Sequence, residues 1–126
     1  MSMHWNESAP IYRQLRERIK AMILDEALKE GDALPSVRQV SADFQLNPIT
    51  VSKAYQELVD ENLVEKRRGL GMYVNSGARL QLLASERERF VREEWPPLKA
   101  RLQRLGLDFK QLLESEATTK SGSKHP

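Results

Sequence analysis

A mainly helical chain carrying one small β-hairpin is what the 126 residues predict, and three observations predict it. Apolar side chains recur every three or four positions over most of the length. That period gives way once, between Leu63 and Val74, to short apolar runs flanking a glycine-rich tip. Ser, Asn and Pro stand where the helical stretches should begin.

From Pro10 to Leu28, Ile11, Leu15, Ile19 and Ile23 recur every four positions, with Met22 and Leu28 widening the stripe of an amphipathic first helix. Ser8 is its expected N-cap. Pro10 falls in the first turn, where a missing N–H is harmless, and Gly31-Asp32 closes the segment. Leu34-Pro35 reads as a short extended piece. Ser36-Val37-Arg38-Gln39 fits a capping box, in which the Ser hydroxyl and the Gln side chain satisfy free N–H groups reciprocally. It opens a short second helix that buries Val37, Val40 and Phe44. After a break over Phe44 to Asn47, the Asn47-Pro48 pair supplies a cap and a first-turn proline. Val51, Ala54, Tyr55, Leu58 and Val59 then form one face of a third helix running to about Glu61.

Leu63 to Arg67 alternates partly, Arg68-Gly69-Leu70-Gly71 is a turn, and Met72-Tyr73-Val74 resumes an extended run, which together predict the hairpin. Beyond Asn75-Ser76-Gly77, Leu80, Leu83, Ala84, Phe90 and Val91 share a helical face. Trp95-Pro96-Pro97 is expected to interrupt it, since prolines cannot donate to a helical ladder. Leu98, Leu102 and Leu105 carry another helix up to Gly106, and Asp108 caps a last turn or two with Phe109, Leu112 and Leu113. From about Ser115 to Pro126 the chain is polar and aperiodic, and disorder is expected there.

Composition narrows the chemistry. Cysteine is absent and the two histidines are His4 and His125, which removes disulfides, thiol nucleophiles and Cys/His metal sites; no cofactor or metal is expected. Asp43, Asp60 and Glu61 read as ordinary helix-surface carboxylates, with no nucleophile-base pair or phosphate loop beside them, so an enzyme is not expected. No apolar run approaches the roughly 20 residues of a membrane span. The start of the chain lacks the layout of a signal peptide, and a cytoplasmic location is the expectation. The net charge of +2 argues nothing about nucleic acid: residues 1–76 hold 10 basic and 11 acidic side chains, the remainder 10 and 7. Placed residues have to carry that argument, namely Arg38, Lys53 and the Lys66-Arg67-Arg68 cluster.

Three helices followed by a two-stranded hairpin, with a tight turn between helices two and three, is the order of a winged helix-turn-helix, whose third helix enters the major groove of DNA. Burying Val51, Ala54, Tyr55 and Leu58 leaves Ile49, Ser52, Lys53 and Gln56 outward, with Asn47 and Thr50 at the mouth. Most of these can bond phosphate or base edges.

Four segments, Pro10-Ile11-Tyr12-Arg13-Gln14-Leu15, Gly31-Asp32-Ala33-Leu34-Pro35-Ser36-Val37-Arg38, Leu46-Asn47-Pro48-Ile49-Thr50-Val51-Ser52-Lys53-Ala54-Tyr55 and Gly69-Leu70-Gly71-Met72-Tyr73-Val74, stand in this order. They resemble the successive signatures of the GntR family of bacterial transcription regulators. The short tail, without room for a metabolite-binding domain, is similar to the YtrA-type subfamily. The resemblance implies a homodimeric regulator, a repressor, bound to double-stranded operator DNA of pseudo-palindromic sequence, with transporter or envelope-stress genes as its expected targets. It implies that Arg38 contacts phosphate or a guanine edge and that Ser36 caps the second helix at the DNA backbone. It further places Asn47, Ile49, Thr50, Ser52 and Lys53 at the reading end of the third helix, and Arg68 and Gly69 at the wing tip. Where many relatives carry a polar residue, often Asn, this chain has Ile49, for which contact with a thymine methyl is the available substitute.

The expected organisation is a DNA-binding domain over residues 8–76, a helical dimerisation region over 77–114 and a disordered tail over 115–126. Leu80, Leu83, Phe90, Val91, Trp95, Leu98, Leu102 and Leu105 are the expected dimer contacts, because these helices hold more apolar surface than a small domain needs to cover itself. The alternative is an adaptor in which the winged helix binds protein instead of DNA. The sequence names no effector.

Overall fold

The computed structural model of the protein describes residues 5–123. Helices α1 (Ile11–Leu24), α2 (Val37–Phe44) and α3 (Pro48–Asp60) precede an antiparallel hairpin of β1 (Val64–Arg67) and β2 (Gly71–Val74), and α4 (Ala78–Arg89) follows. The chain then passes through a π-helical turn (Phe90–Glu94) into α5 (Trp95–Leu105) and α6 (Phe109–Ser123). It divides into two compact units, one ending at Ser85 and the other beginning at Glu86, so that the division falls inside α4.

In the first unit α1 packs on α3, and Leu15, Ile19 and Ile23 meet Val51, Ala54, Tyr55 and Leu58 in the core. Ion pairs of Arg16 with Glu57 and of Lys20 with Glu61 border that contact. The helix ends at Leu24, earlier than its apolar stripe suggests. Glu26 turns the backbone into the left-handed region (φ 63°), and the Leu28 N–H returns to the Met22 carbonyl at 3.0 Å, which tucks Leu28 into the core from outside the helix. Ser8 is not the cap. Pro10 occupies that position without a side-chain bond, and the Ser8 N–H bonds Asn6 Oδ1 instead.

Leu34, expected in a short extended piece, donates its N–H to the Met72 carbonyl (2.8 Å), while Ala33 bridges Tyr73; this segment lies along β2. The hairpin register pairs Val64 with Val74, and both are buried. Between α2 and α3 the chain turns at Gln45, a left-handed residue (φ 53°), and the Leu46 N–H closes onto the Ser41 carbonyl.

The core continues past the hairpin. Ala78 and Leu82 of α4 are buried with the first unit, so this unit extends beyond the expected boundary at residue 76. Leu82, 4% exposed, takes the core position, while Leu83 is half-buried and Leu80 is 71% exposed. The Arg79 guanidinium donates to the Leu24 carbonyl, Gln81 donates to that of Glu61, and Glu30 accepts the Gly77 N–H, which fastens the start of α4.

In the second unit Trp95-Pro96-Pro97 does not break the helical path. The π-helical turn carries it, with the Trp95 N–H reaching the Phe90 carbonyl. A widened turn makes room for a proline ring and leaves its missing donor without consequence, because ring and donor both fall in the first turn of α5. Gly106 (φ 69°) ends α5, and Asp108 Oδ1 accepts the Lys110 N–H at the start of α6. Helix α6 runs to Ser123 through much of the stretch where disorder is expected; residues 124–126 of that stretch lie outside the described residues.

Candidate nucleic-acid interface

The third helix begins where Asn47, in an extended conformation, accepts the Ile49 N–H on Oδ1 at 2.9 Å, with Pro48 in the first turn. The cap occupies the amide oxygen and leaves the NH₂ group as the available donor. Ile49 is 74% exposed, and Ser52, Lys53 and Gln56 are exposed on the following turns; Thr50 is half-buried. The Lys53 ammonium lies 4.0 Å from the centre of the Tyr12 ring, and Gln56 donates to Asp60.

Helix α2 meets this surface through its start. Ser36 Oγ accepts the Gln39 N–H at 3.0 Å, one half of the expected capping box; the reciprocal bond from the Gln39 side chain does not form. Arg38 is exposed and has no protein partner among the described residues. The buried Tyr55 hydroxyl of α3 donates to the carbonyl of Pro35, next to Ser36. Burial raises the Tyr55 hydroxyl from its ordinary 10.0 to about 12, which extends the pH range over which it remains a donor.

At the hairpin tip Gly69 adopts φ +76°, a conformation that side chains with a Cβ rarely take, and the Leu70 N–H closes the turn onto Arg67. Of the three consecutive cations, Arg67 pairs with Glu65 (2.9 Å) and stacks over Tyr73. Lys66 and Arg68 have no protein partner among the described residues.

Helices α2 and α3 and the hairpin enclose a groove of about 450 Å³, lined by Ser36, Ser52, Gln56, Lys66, Arg67, Gly69 and Leu70 over a floor that includes Leu34, Tyr55 and Met72. No Asp or Glu lines it. A concavity with cations, hydroxyls and an amide, and without carboxylates, is suited to a polyanion and offers no acid-base pair. Of the residues expected at DNA, the groove brings together Ser36, Ser52 and Gly69. Arg38, Asn47, Ile49, Thr50, Lys53 and Arg68 do not line it. The groove also brings in Gln56, expected on the outward face of α3, and Lys66 and Arg67 of the expected basic cluster, and it adds Leu70, which the sequence did not single out.

The expected dimer contacts in the second unit are exposed at Phe90, Val91, Leu98 and Leu105 and half-buried at Trp95 and Leu102. Trp95 meets Phe109 edge to face at 5.7 Å between ring centres. No described residue beyond Leu82 belongs to the buried core. No described helix is long and apolar enough to cross a membrane.

Residues 11–74 match the signature of a family described as bacterial regulatory proteins, gntR family. Over 122 residues the chain is 34% identical to the HTH-type transcriptional repressor YtrA of Bacillus subtilis (strain 168), a match spanning 94% of this chain and 93% of that one. The crystal structure of a transcriptional regulator from Oenococcus oeni superimposes with a TM-score of 0.71 at 27% identity, covering 94% of this chain and 97% of that one. The N-terminal domain of AraR, solved in complex with mutant ORR3, superimposes with a TM-score of 0.52 at 25% identity, covering 55% of this chain and 99% of that one.

Proposed function

The chain belongs to the gntR family of bacterial regulatory proteins, DNA-binding transcription regulators rather than enzymes, and from that membership we propose that it acts as a homodimeric repressor reading a pseudo-palindromic operator. The observation that carries the reading is the carboxylate-free groove between α3 and the hairpin, lined in part by Lys66, with Arg38 and Arg68 outside its lining; none of these three cations has a protein partner among the described residues, and all three are available to phosphate or base edges. The start of α3, with Asn47, Ile49, Thr50, Ser52 and Lys53, reads the major groove, while Ser36 and Arg38 hold α2 at the backbone. Gly69 lets the wing tip approach the DNA closely, and Arg68 beside it neutralises phosphate.

The second unit supplies the pairing. Its helices expose Phe90, Val91, Leu98, Leu105, Leu112 and Leu113 and bury no described residue, a pattern that asks for an apolar partner. A second copy meets that need, and two linked reading heads gain discrimination that one lacks. Transporter or envelope-stress genes are the proposed targets, a reading that the family resemblance supports.

Selection of bound duplexes from a randomised pool by the full-length chain, followed by affinity measurement across a salt series, tests the reading. The expected result is an inverted repeat bound by two copies, with affinity falling steeply as salt rises. A chain that enriches no sequence, or that binds one copy per site, overturns it, and the former result would favour a protein-binding adaptor.

A further inference from the structure

Resting on the operator reading above, we propose that Ile49 reads the 5-methyl group of one thymine in each half-site, so that its specificity comes from apolar contact instead of a hydrogen bond. Ile49 is the most exposed large apolar residue among those described, at 74%. It is absent from the core and from the partly buried residues packed against it, so the fold has no use for its side chain. Leaving an isoleucine in water gains nothing, and a contact that removes it from water is worth roughly the area covered.

Its position supplies the partner. Ile49 sits in the first turn of α3, where the Asn47 side chain has accepted the Ile49 N–H. The backbone there has no free donor to offer a base, and the side chain has no polar atom. Lys53, one turn further along the same face, is held over the Tyr12 ring. The base edges in the major groove present donors, acceptors and one apolar group, the thymine methyl. An uncharged, branched hydrocarbon at the reading end of the helix complements that group alone. Over guanine, cytosine or adenine the same side chain would cover a polar edge without bonding it, which disfavours those bases.

The test uses duplex operators taken from the selection described above. Each thymine is replaced in turn by deoxyuridine, which deletes the methyl and keeps the base pair. With the wild-type chain, one position per half-site should lose about fourfold in affinity, the equivalent of about 0.8 kcal/mol for one buried methyl group. With Ile49→Ala, the same replacement should change affinity less than twofold, while the other positions respond as in the wild type. Thermal unfolding of Ile49→Ala should match the wild type, since the residue is outside the core. A selected motif in which no thymine is sensitive, or in which the sensitive thymine responds equally in Ile49→Ala, overturns this inference and leaves the operator reading standing. Failure to select any motif overturns both.

Discussion

The Tyr55 hydroxyl donates a 2.6 Å hydrogen bond to the Pro35 carbonyl, which ties the middle of α3 to the residue before the Ser36 cap. Two elements of the candidate interface are thereby fixed by one buried polar contact. Removing the hydroxyl in Tyr55→Phe leaves the Pro35 carbonyl without this donor, and denaturant unfolding at neutral pH should show a loss of about 1 kcal/mol.

The same contact sets an alkaline limit. Burial lifts Tyr55 from 10.0 to about 12, so near pH 11 the folded chain keeps a proton that the unfolded chain has released. Its contribution is whole below pH 10 and is lost as the pH rises towards 12. The wild type should therefore lose stability through that window more steeply than Tyr55→Phe. Parallel slopes for the two proteins would count against burial as the source.

Arg38→Ala should lower operator affinity by about 5- to 150-fold, the range for losing a charge-assisted base or phosphate contact worth about 1–3 kcal/mol. The melting temperature should not move, because the guanidinium has no protein partner among the described residues. Affinity within twofold of the wild type would remove Arg38 from the interface.

Truncation should separate the two units at Ser85 and not at Ser76. Ala78 and Leu82 complete the first core, so a chain ending at Ser76 loses buried apolar surface and should unfold at lower denaturant than one ending at Ser85. Leu82→Ala alone should be destabilising by about 2–5 kcal/mol, against little change for Leu80→Ala. Equal midpoints for the two truncations would place α4 outside the core.

A charge on the apolar face of the second unit should separate pairing from folding. Val91→Asp combined with Leu98→Asp should sediment as a monomer at micromolar concentration, keep the helical circular dichroism of the first unit, and bind the operator about 10²- to 10⁴-fold more weakly. A dimer that persists in this variant would move the interface elsewhere.

Much of this was legible because single residues had single readings. Ser36 and Asn47 cap the helices they were expected to cap, and Val51, Ala54, Tyr55 and Leu58 are buried on the face their spacing defines. The tail was harder for a physical reason. Leu82 lies on a different face of α4 from Leu80 and Leu83, and composition cannot rank the two faces; the bonds from Arg79 and Gln81 back to the first unit select Leu82. Two adjacent prolines suggested a break because the interior of an α-helical ladder has no place for them, whereas here they fall in the first turn of α5, directly after the π-helical turn. The groove was only half legible, since Lys66 and Gln56 come together through tertiary packing of β1 against α3.

The ammonium of Lys53 over the Tyr12 ring has a thermodynamic consequence. A free lysine side chain samples many rotamers, and settling it on a partner forfeits up to about 2 kcal/mol of that freedom. Here part of the ordering is complete before any ligand arrives, through attraction between a cation and an aromatic face on a neighbouring helix. A phosphate that meets Lys53 encounters a charge already narrowed in position, and the association carries a smaller entropic penalty than the residue type alone would impose. On the proposed reading, Tyr12, which need not touch DNA itself, thus belongs to the energetics of recognition.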